Sequence, residues 1–492
     1  MGVIMKLGRN IFGVGIMTGI SRIFGFVRDM SIARFVGAGR LSDIFFAAFK
    51  LPNLFRDLLG EGALSAIFIP MYTDMNKDEG FAKNVFSWLL VILLGLTILF
   101  EIFMPLVIWG LTPGFAEDPG KMQLTVTIAR IMFFFVIFIC GAAFLAAVLN
   151  AHSRFLLAAF MPVMLNIMLI GALLGSVWYG NQYILYVMAG TVVVSGIIQF
   201  LTLLYRIRHK HFGLRLIVPR WNDQIKNMFK RFCVSLVGSG FYQITIVVGT
   251  LVASFQSGAV SWLYYSDRIV QLPFAMIGLA VGTVLMSSIS NALADKNMRS
   301  VYIQQNSSMR RSMMLIIPCM VGLFVLAEPV IKYLFQYGAW TAESTKAVAM
   351  AIKIQCLVLP AMLISQIYSK TLYASQDVKT PVTTSMISLG IATIIYLTLF
   401  RFIGYLSIPV GIVVSGYVKN YLLRRVCHKR GLIKTDRKTL WSISAFTILS
   451  CALGFVLYMI PIHSIYMMVA LILGFAVLYL PIAYIIDRRL IK

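Results

Sequence analysis

Charge is what this chain of 492 residues has little of: Asp, Glu, Lys and Arg make up 12% of it against 60% hydrophobic residues, where a soluble domain carries about a quarter charged residues. That shortage excludes an ordinary water-soluble fold. Acids are scarcer still, 18 against 43 Lys and Arg, for a formal net charge of +25. The six cysteines stand singly (Cys140, Cys233, Cys319, Cys356, Cys427, Cys451), with no Cys-x-x-Cys pair, and the five histidines form no ligand cluster. These absences argue against zinc and against a disulfide framework. No Gly-rich P-loop and no nucleophile–His–acid set is present, so ATP-driven transport by this chain alone is excluded and an enzyme is poorly supported.

What is there is a series of apolar runs of roughly 17 to 30 residues, the length that a tilted span requires. They predict an all-α polytopic membrane protein of about 14 transmembrane helices, over 7–35, 42–74, 83–111, 122–150, 154–178, 183–206, 225–254, 259–293, 305–328, 342–373, 380–401, 405–427, 440–460 and 464–487. The first twenty residues look like a secretory signal but lack a small-residue cleavage site and soon carry Arg22, Arg28 and Asp29, so they read as a retained helix. Basic residues gather in alternate connections. The one after the sixth helix holds Arg206, Arg208, Lys210, Arg215, Arg220, Lys226, Lys230 and Arg231 against Asp223, and the one after the twelfth repeats this, while 112–121 and 255–260 are neutral or acidic. Positive loops stay in the cytoplasm, so both termini are expected there, and the basic loops read as topology and anionic-lipid contact rather than nucleic-acid binding.

The chain also echoes itself. At an offset of about 221 residues Leu51-Pro52 falls on Leu272-Pro273, Gly19 on Gly240 and Arg22 on Gln243, the pattern of a duplicated transporter fold. This predicts an N-terminal six-helix lobe over 1–210, a second six-helix lobe over 211–430 and two additional C-terminal helices over 431–492. Six helices per lobe make the repeat parallel, about an axis along the membrane normal. Pro52 and Pro273 should kink their helices and free backbone polar groups near the midplane, at a cavity between the lobes.

Most of the ionisable residues noted inside spans fall in helices one, two and eight: Arg22, Arg28, Asp29 and Arg34; Asp43, Lys50, Arg56, Asp57 and Glu61; Asp267 and Arg268. Charges are costly in hydrocarbon and normally face a bundle interior or a wet cavity. Near helix ends the alternative is that Arg34, Asp43 and Lys50 snorkel to water, while Arg28 with Asp29 and Arg268 with Asp267 neutralise each other locally. For Arg22, Arg28, Arg56 and Arg268 a functional reading is favoured. Arginine pairs bidentately with phosphate oxygens and keeps its charge, so such a cavity selects an anion, most naturally a phosphate or diphosphate. Asp43, Glu61 and Asp267 would hold the arginines in place or form an ion pair that opens and closes one side.

The runs SRIFGFVRD (21–29), GAG (37–39) with Asp43 after it, KLPNLFRDLLGEGALS (50–65), LTPGF (111–115), SWLYYSDRIVQLP (261–273), LFQYGAWT (334–341) and QDVKTP (376–381) resemble the bacterial lipid II flippase family MurJ, also called MviN, of the multidrug/oligosaccharidyl-lipid/polysaccharide exporter superfamily. The resemblance implies two lobes plus two C-terminal helices in the bacterial inner membrane. It implies a role in peptidoglycan and cell-wall biogenesis and cell shape, moving lipid II, an undecaprenyl-diphosphate-linked disaccharide-pentapeptide, to the periplasmic leaflet by alternating access. By motif, Arg22, Arg28, Arg56 and Arg268 become substrate-binding residues. Asp29, Asp43, Glu61 and Asp267 become cavity or gate acids, with Glu61 the gate candidate. Two departures stand out. Gln271 occupies a place where relatives can carry an acid. The seventh helix has no carboxylate to partner Asp377, a weak sodium candidate, so no metal site and no cofactor are expected, sodium coupling is disfavoured, and membrane potential or protons are left as energy sources. Besides lipid II, the implied partners are membrane lipids and cell-wall synthesis proteins. The rival readings are a flippase for O-antigen or capsule repeats, a drug/cation antiporter, and a non-transporting cell-wall scaffold.

Overall fold

A computed structural model describes residues 2–58, 63–209 and 214–491, and among them it contains α-helices and short 3-10 turns but no strand. Nine segments of the described residues are long and apolar enough to cross a membrane. The chain is therefore a multi-pass helical membrane protein, and every interval expected to be helical contains helix.

Two compact units divide the chain, Met1–Val260 with Tyr337–Trp340, and Ser261–Gln336 with Thr341–Lys492. The first holds α1 (Gly2–Phe35), α2 (Arg40–Phe55), α3 (Ala63–Asp74), α4 (Glu79–Leu111), α5 (Pro119–Phe133), α6 (Phe135–Ala151), α7 (Leu156–Leu174), α8 (Ser176–Tyr179), α9 (Ile184–His209) and α10 (Asp223–Ala253). The second is built from α11 (Ala259–Ala294), α12 (Met298–Phe335), α13 (Ala342–Gln355), α14 (Leu359–Ala374), α15 (Lys379–Ile403), α16 (Ser407–Lys429), α17 (Arg437–Met459) and α18 (Ile465–Ile491).

Four expected helices are subdivided, 154–178 only by Gly175 between α7 and the single turn α8. The 42–74 run becomes α2 and α3: α2 continues through Pro52, ends at Phe55 and passes into a wider turn over 56–58. The 122–150 run is interrupted at Phe134, between α5 and α6. The 342–373 run is broken by a 3-10 turn, Cys356–Val358, just before Pro360, which opens α14 and has no N–H to continue the ladder behind it. Short loops are possible because acceptor side chains cap the helix starts: Asp78 on α4, Asp118 on α5, Asn222 on α10, Thr341 on α13 and Asp436 on α17 each accept a backbone N–H from the first turn.

Within the first unit, aromatic rings fill the interior: Phe55, Phe100 and Phe133 meet at 4.7–5.5 Å, and Phe68, Phe86 and Phe144 form a second group. In the second unit, Gly411 of α16 lies so close beneath Tyr396 of α15 that a Cβ would stand 2.4 Å from its ring. Helices without a hydrophobic driving force between them pack by such close approach. The outer faces stay apolar, as with Ile448 and Val477, which is what lipid contact requires.

Candidate functional site

In the first unit the LTPGF turn and the segment after α10 meet at Asp43. This carboxylate, one turn into α2, is completely buried; its Oδ2 accepts from Lys121 Nζ at 2.9 Å and from the backbone N–H of Gly258 at 2.8 Å. Snorkelling is therefore not its role. The LTPGF turn builds the surroundings: the Phe115 ring lies under Lys121 Nζ at 3.8 Å, and Gly114 N donates to Ser254 Oγ. Gly114 has to be glycine, since a Cβ there would stand 2.4 Å from Phe255 N. The GAG stretch meets the Tyr337–Trp340 turn of the same unit. Gly37, at φ +81°, would push a Cβ to 2.5 Å from the Ala339 carbonyl oxygen, and Ala339 N donates to Arg34 O.

Lower on α1, Arg28 and Asp29 are both buried. Arg28 donates from Nε and Nη2 to Asp29 Oδ1, at 3.0 and 2.7 Å, and from Nη1 to Asn166 Oδ1 of α7 at 3.0 Å. Asn166 Nδ2 in turn donates to the Ser21 carbonyl. A buried guanidinium with one carboxylate and one amide is neutralised and positioned rather than stranded. Arg22 is exposed on the same helix. Arg56 follows α2 and donates to Asp57 Oδ1 at 3.1 Å, while Gln243 Nε2 of α10 donates to Asp57 Oδ2 at 3.2 Å. Lys50 Nζ reaches the Ile246 carbonyl and the Thr250 hydroxyl of α10. Glu61 lies outside the described residues.

In the second unit, Asp267 accepts from Gln271 Nε2 one turn on and from Gln355 Nε2 of α13 at 3.0 Å, while Gln355 Oε1 accepts from Ser266. Arg268 is exposed, donating to the Tyr264 hydroxyl at 3.1 Å with its guanidinium over that ring. Pro273 lies within α11, which continues as helix to Ala294. Asp377 stands just before α15: it accepts from Thr380 N and Oγ1 and pairs with Arg430. Its carboxyl stays below the usual aspartate range: burial works against this, but the bonds from Thr380 and the Arg430 charge outweigh it. Among the described residues no three His, Cys, Asp or Glu side chains converge as a metal would need.

The sequence profile described as "Lipid II flippase MurJ" matches residues 32–481. This chain belongs to the MurJ family. Among its MurJ relatives, a probable lipid II flippase MurJ of Rhizobium meliloti (strain 1021) is 34% identical over 92% of this chain and 86% of that protein. The lipid II flippase MurJ of Burkholderia cenocepacia is 29% identical over 99% and 98%. A solved lipid II flippase MurJ in an inward closed conformation superposes with a TM-score of 0.84 at 25% identity, over 97% and 99% of the two chains. An inward-facing multidrug resistance MATE family transporter shares the fold alone, at a TM-score of 0.69 and 16% identity over 87% and 96%.

For this MurJ family member, sequence reasoning found the charged residues but not what holds them. Lys121 was only a loop charge, 78 positions from Asp43, and Asn166, Gln243 and Gln355 are neutral amides in apolar helices. The one available signal was chemical. A polar amide inside a span needs a partner, and an intramembrane charge is the strongest one nearby.

Proposed function

We infer that this protein is a lipid II flippase of the bacterial inner membrane, a transporter rather than an enzyme, carrying the diphosphate-linked precursor from the cytoplasmic to the periplasmic leaflet by alternating access. The observation that carries this reading is membership of the MurJ family over residues 32–481. The charge chemistry agrees with it, since guanidinium groups suit a diphosphate and would repel organic cations.

Among the residues, we assign Arg22 and Arg268, both exposed, to direct contact with phosphate oxygens. Arg28 and Arg56 contribute charge from positions fixed by Asp29 and Asp57. The Asp43–Lys121 pair is assigned to gating. Both termini are placed in the cytoplasm by the positive-inside pattern, with lobes at 1–210 and 211–430 and two further helices after them. Membrane potential or protons, not sodium, would supply the energy, and cell-wall synthesis proteins would consume the product.

The test is leaflet-resolved measurement of lipid II after depletion of this protein. Accumulation on the cytoplasmic side is expected; an unchanged distribution would remove the reading. In reconstituted vesicles Arg22→Ala and Arg268→Ala should each slow translocation, and competition by O-antigen or capsule lipid carriers separates those rivals.

A further inference from the structure

Helix α4 turns one stripe inward: Leu93, Thr97, Met104, Ile108 and Leu111 are all buried, while Ile98, Ile102, Phe103 and Leu106 around them are exposed on the apolar outer face. Glu101 belongs to the inward stripe, four residues after Thr97 and three before Met104. It is the one charged residue between Lys83 and Glu117. Its Oε1 is sealed from solvent and has no hydrogen-bond partner.

Helix α5 returns from the same end. Glu101 lies 111 − 101 = 10 residues before the end of α4, and Arg130 lies 130 − 119 = 11 residues after the start of α5. Both are thus about 15 Å from the intervening turn at 1.5 Å per residue, near the centre of a hydrocarbon layer about 30 Å thick. Arg130, whose side chain is exposed, stands at the same level as Glu101, and among the described residues no ion pair joins them. Helix α2 also reaches that level, since the Phe55 ring lies 5.1 Å from that of Phe100, but the charges that follow Phe55, Arg56 and Asp57, are paired with each other; the remaining elements packed on α4 bring none. Helix α6 has none, α10 has none after Arg231, and Glu117 sits in the turn at the water end.

An ionised carboxylate with an unsatisfied oxygen in hydrocarbon is strongly disfavoured, whereas the neutral acid tolerates the site. We propose that Glu101 is a proton-binding site within the first unit, neutral in this conformation and deprotonated when Arg130 closes to ion-pair distance. On release the carboxyl O–H bond breaks, its electrons stay on the carboxylate, and the proton passes to water. The site would bind a proton whatever the cargo, so it can fail while the flippase reading stands.

Infrared spectroscopy of the full-length protein in lipid nanodiscs tests this. At neutral pH the wild type should show a carboxylic-acid carbonyl band that Glu101→Gln, a neutral variant of the same shape, removes. Arg130→Gln should keep the band and move its loss upward by about one pH unit or more, a tenfold change in proton affinity, because a cation that favours the ionised form is gone. Spectra of wild type and Glu101→Gln that coincide from acid to alkaline pH would overturn the proposal, as would a midpoint insensitive to Arg130.

Discussion

Two pairs of neighbouring charges, Arg28–Asp29 in the first unit and Asp267–Arg268 in the second, read almost alike in sequence and end up in different arrangements. In the first, both members are buried, 6% and 0% exposed, and the guanidinium closes on its neighbour and on Asn166. In the second, the carboxylate is held by two amides, Gln271 and Gln355, while the arginine reaches the surface over Tyr264. Adjacent residues on a helix point about 100° apart, so adjacency alone does not decide their pairing. The facing helix offers an amide to each pair, Asn166 to Arg28 in one unit and Gln355 to Asp267 in the other. The sealed pair serves position; the second arginine lies at the surface.

Breaking the sealed pair should have the largest effect. Arg28→Ala leaves Asp29 buried without its cation, which costs about 3–5 kcal/mol, and the thermal midpoint in detergent should fall steeply. Adding Asp29→Asn should recover most of that stability without restoring translocation. If Arg28→Ala were as stable as wild type, the pair would not be structural. Next comes Gln355→Ala, which removes one of the two amides on Asp267 and should cost about 1–3 kcal/mol, measured in the same way. Equal losses from Gln355→Ala and Arg28→Ala would erase the distinction between the two units.

Much of this was legible in the sequence. The helices fell in the expected intervals because an apolar run of span length has few other options, and the arginines were conspicuous because hydrocarbon tolerates so few charges. What was not legible is three-dimensional. Phe134 breaks a helix with no proline or glycine beside it, and Asp43 finds its cation 78 residues away on α5. Glu101, the lone acid of its run, was passed over in the sequence, and only the inward stripe of α4 turns it into a site. Local neutralisation was only the alternative to a functional Arg268, and the amide Gln271, noted where relatives can carry an acid, proves to be a ligand of Asp267.

Opening the comparison further, Arg268→Ala should barely affect stability, within about 1 kcal/mol for an exposed cation–π contact, while translocation drops about tenfold or more, as expected for a lost charge-assisted hydrogen bond. An Arg268→Ala variant that lost several kcal/mol of stability while translocating at the wild-type rate would reverse the assignment.

The smallest effect belongs to a third pair, in water. Arg40 donates to both oxygens of Asp118, at 2.9 and 3.1 Å, with both side chains about half exposed. The hydrogen bond from Arg40 and the backbone N–H of Lys121 hold the Asp118 carboxyl at about 2, below its ordinary 3.8. A carboxylate lowered on folding adds stability that is fully present above the ordinary value and disappears as pH falls from there towards about 2. Arg40→Ala should move the carboxyl back up, so the thermal midpoint should fall slightly at neutral pH, only slightly because exposed pairs contribute little, and the wild-type and variant profiles should converge as pH falls towards about 2. A difference that grew on acidification would count against it. The pair's position gives it more reach than its energy: Asp118 also caps α5 through Lys121 N, and the side chain of that same Lys121 neutralises Asp43. If Arg40→Ala weakened the protein as much as loss of the buried Arg28 does, the solvent-exposed cap, rather than the sealed carboxylate, would be holding Lys121 in place.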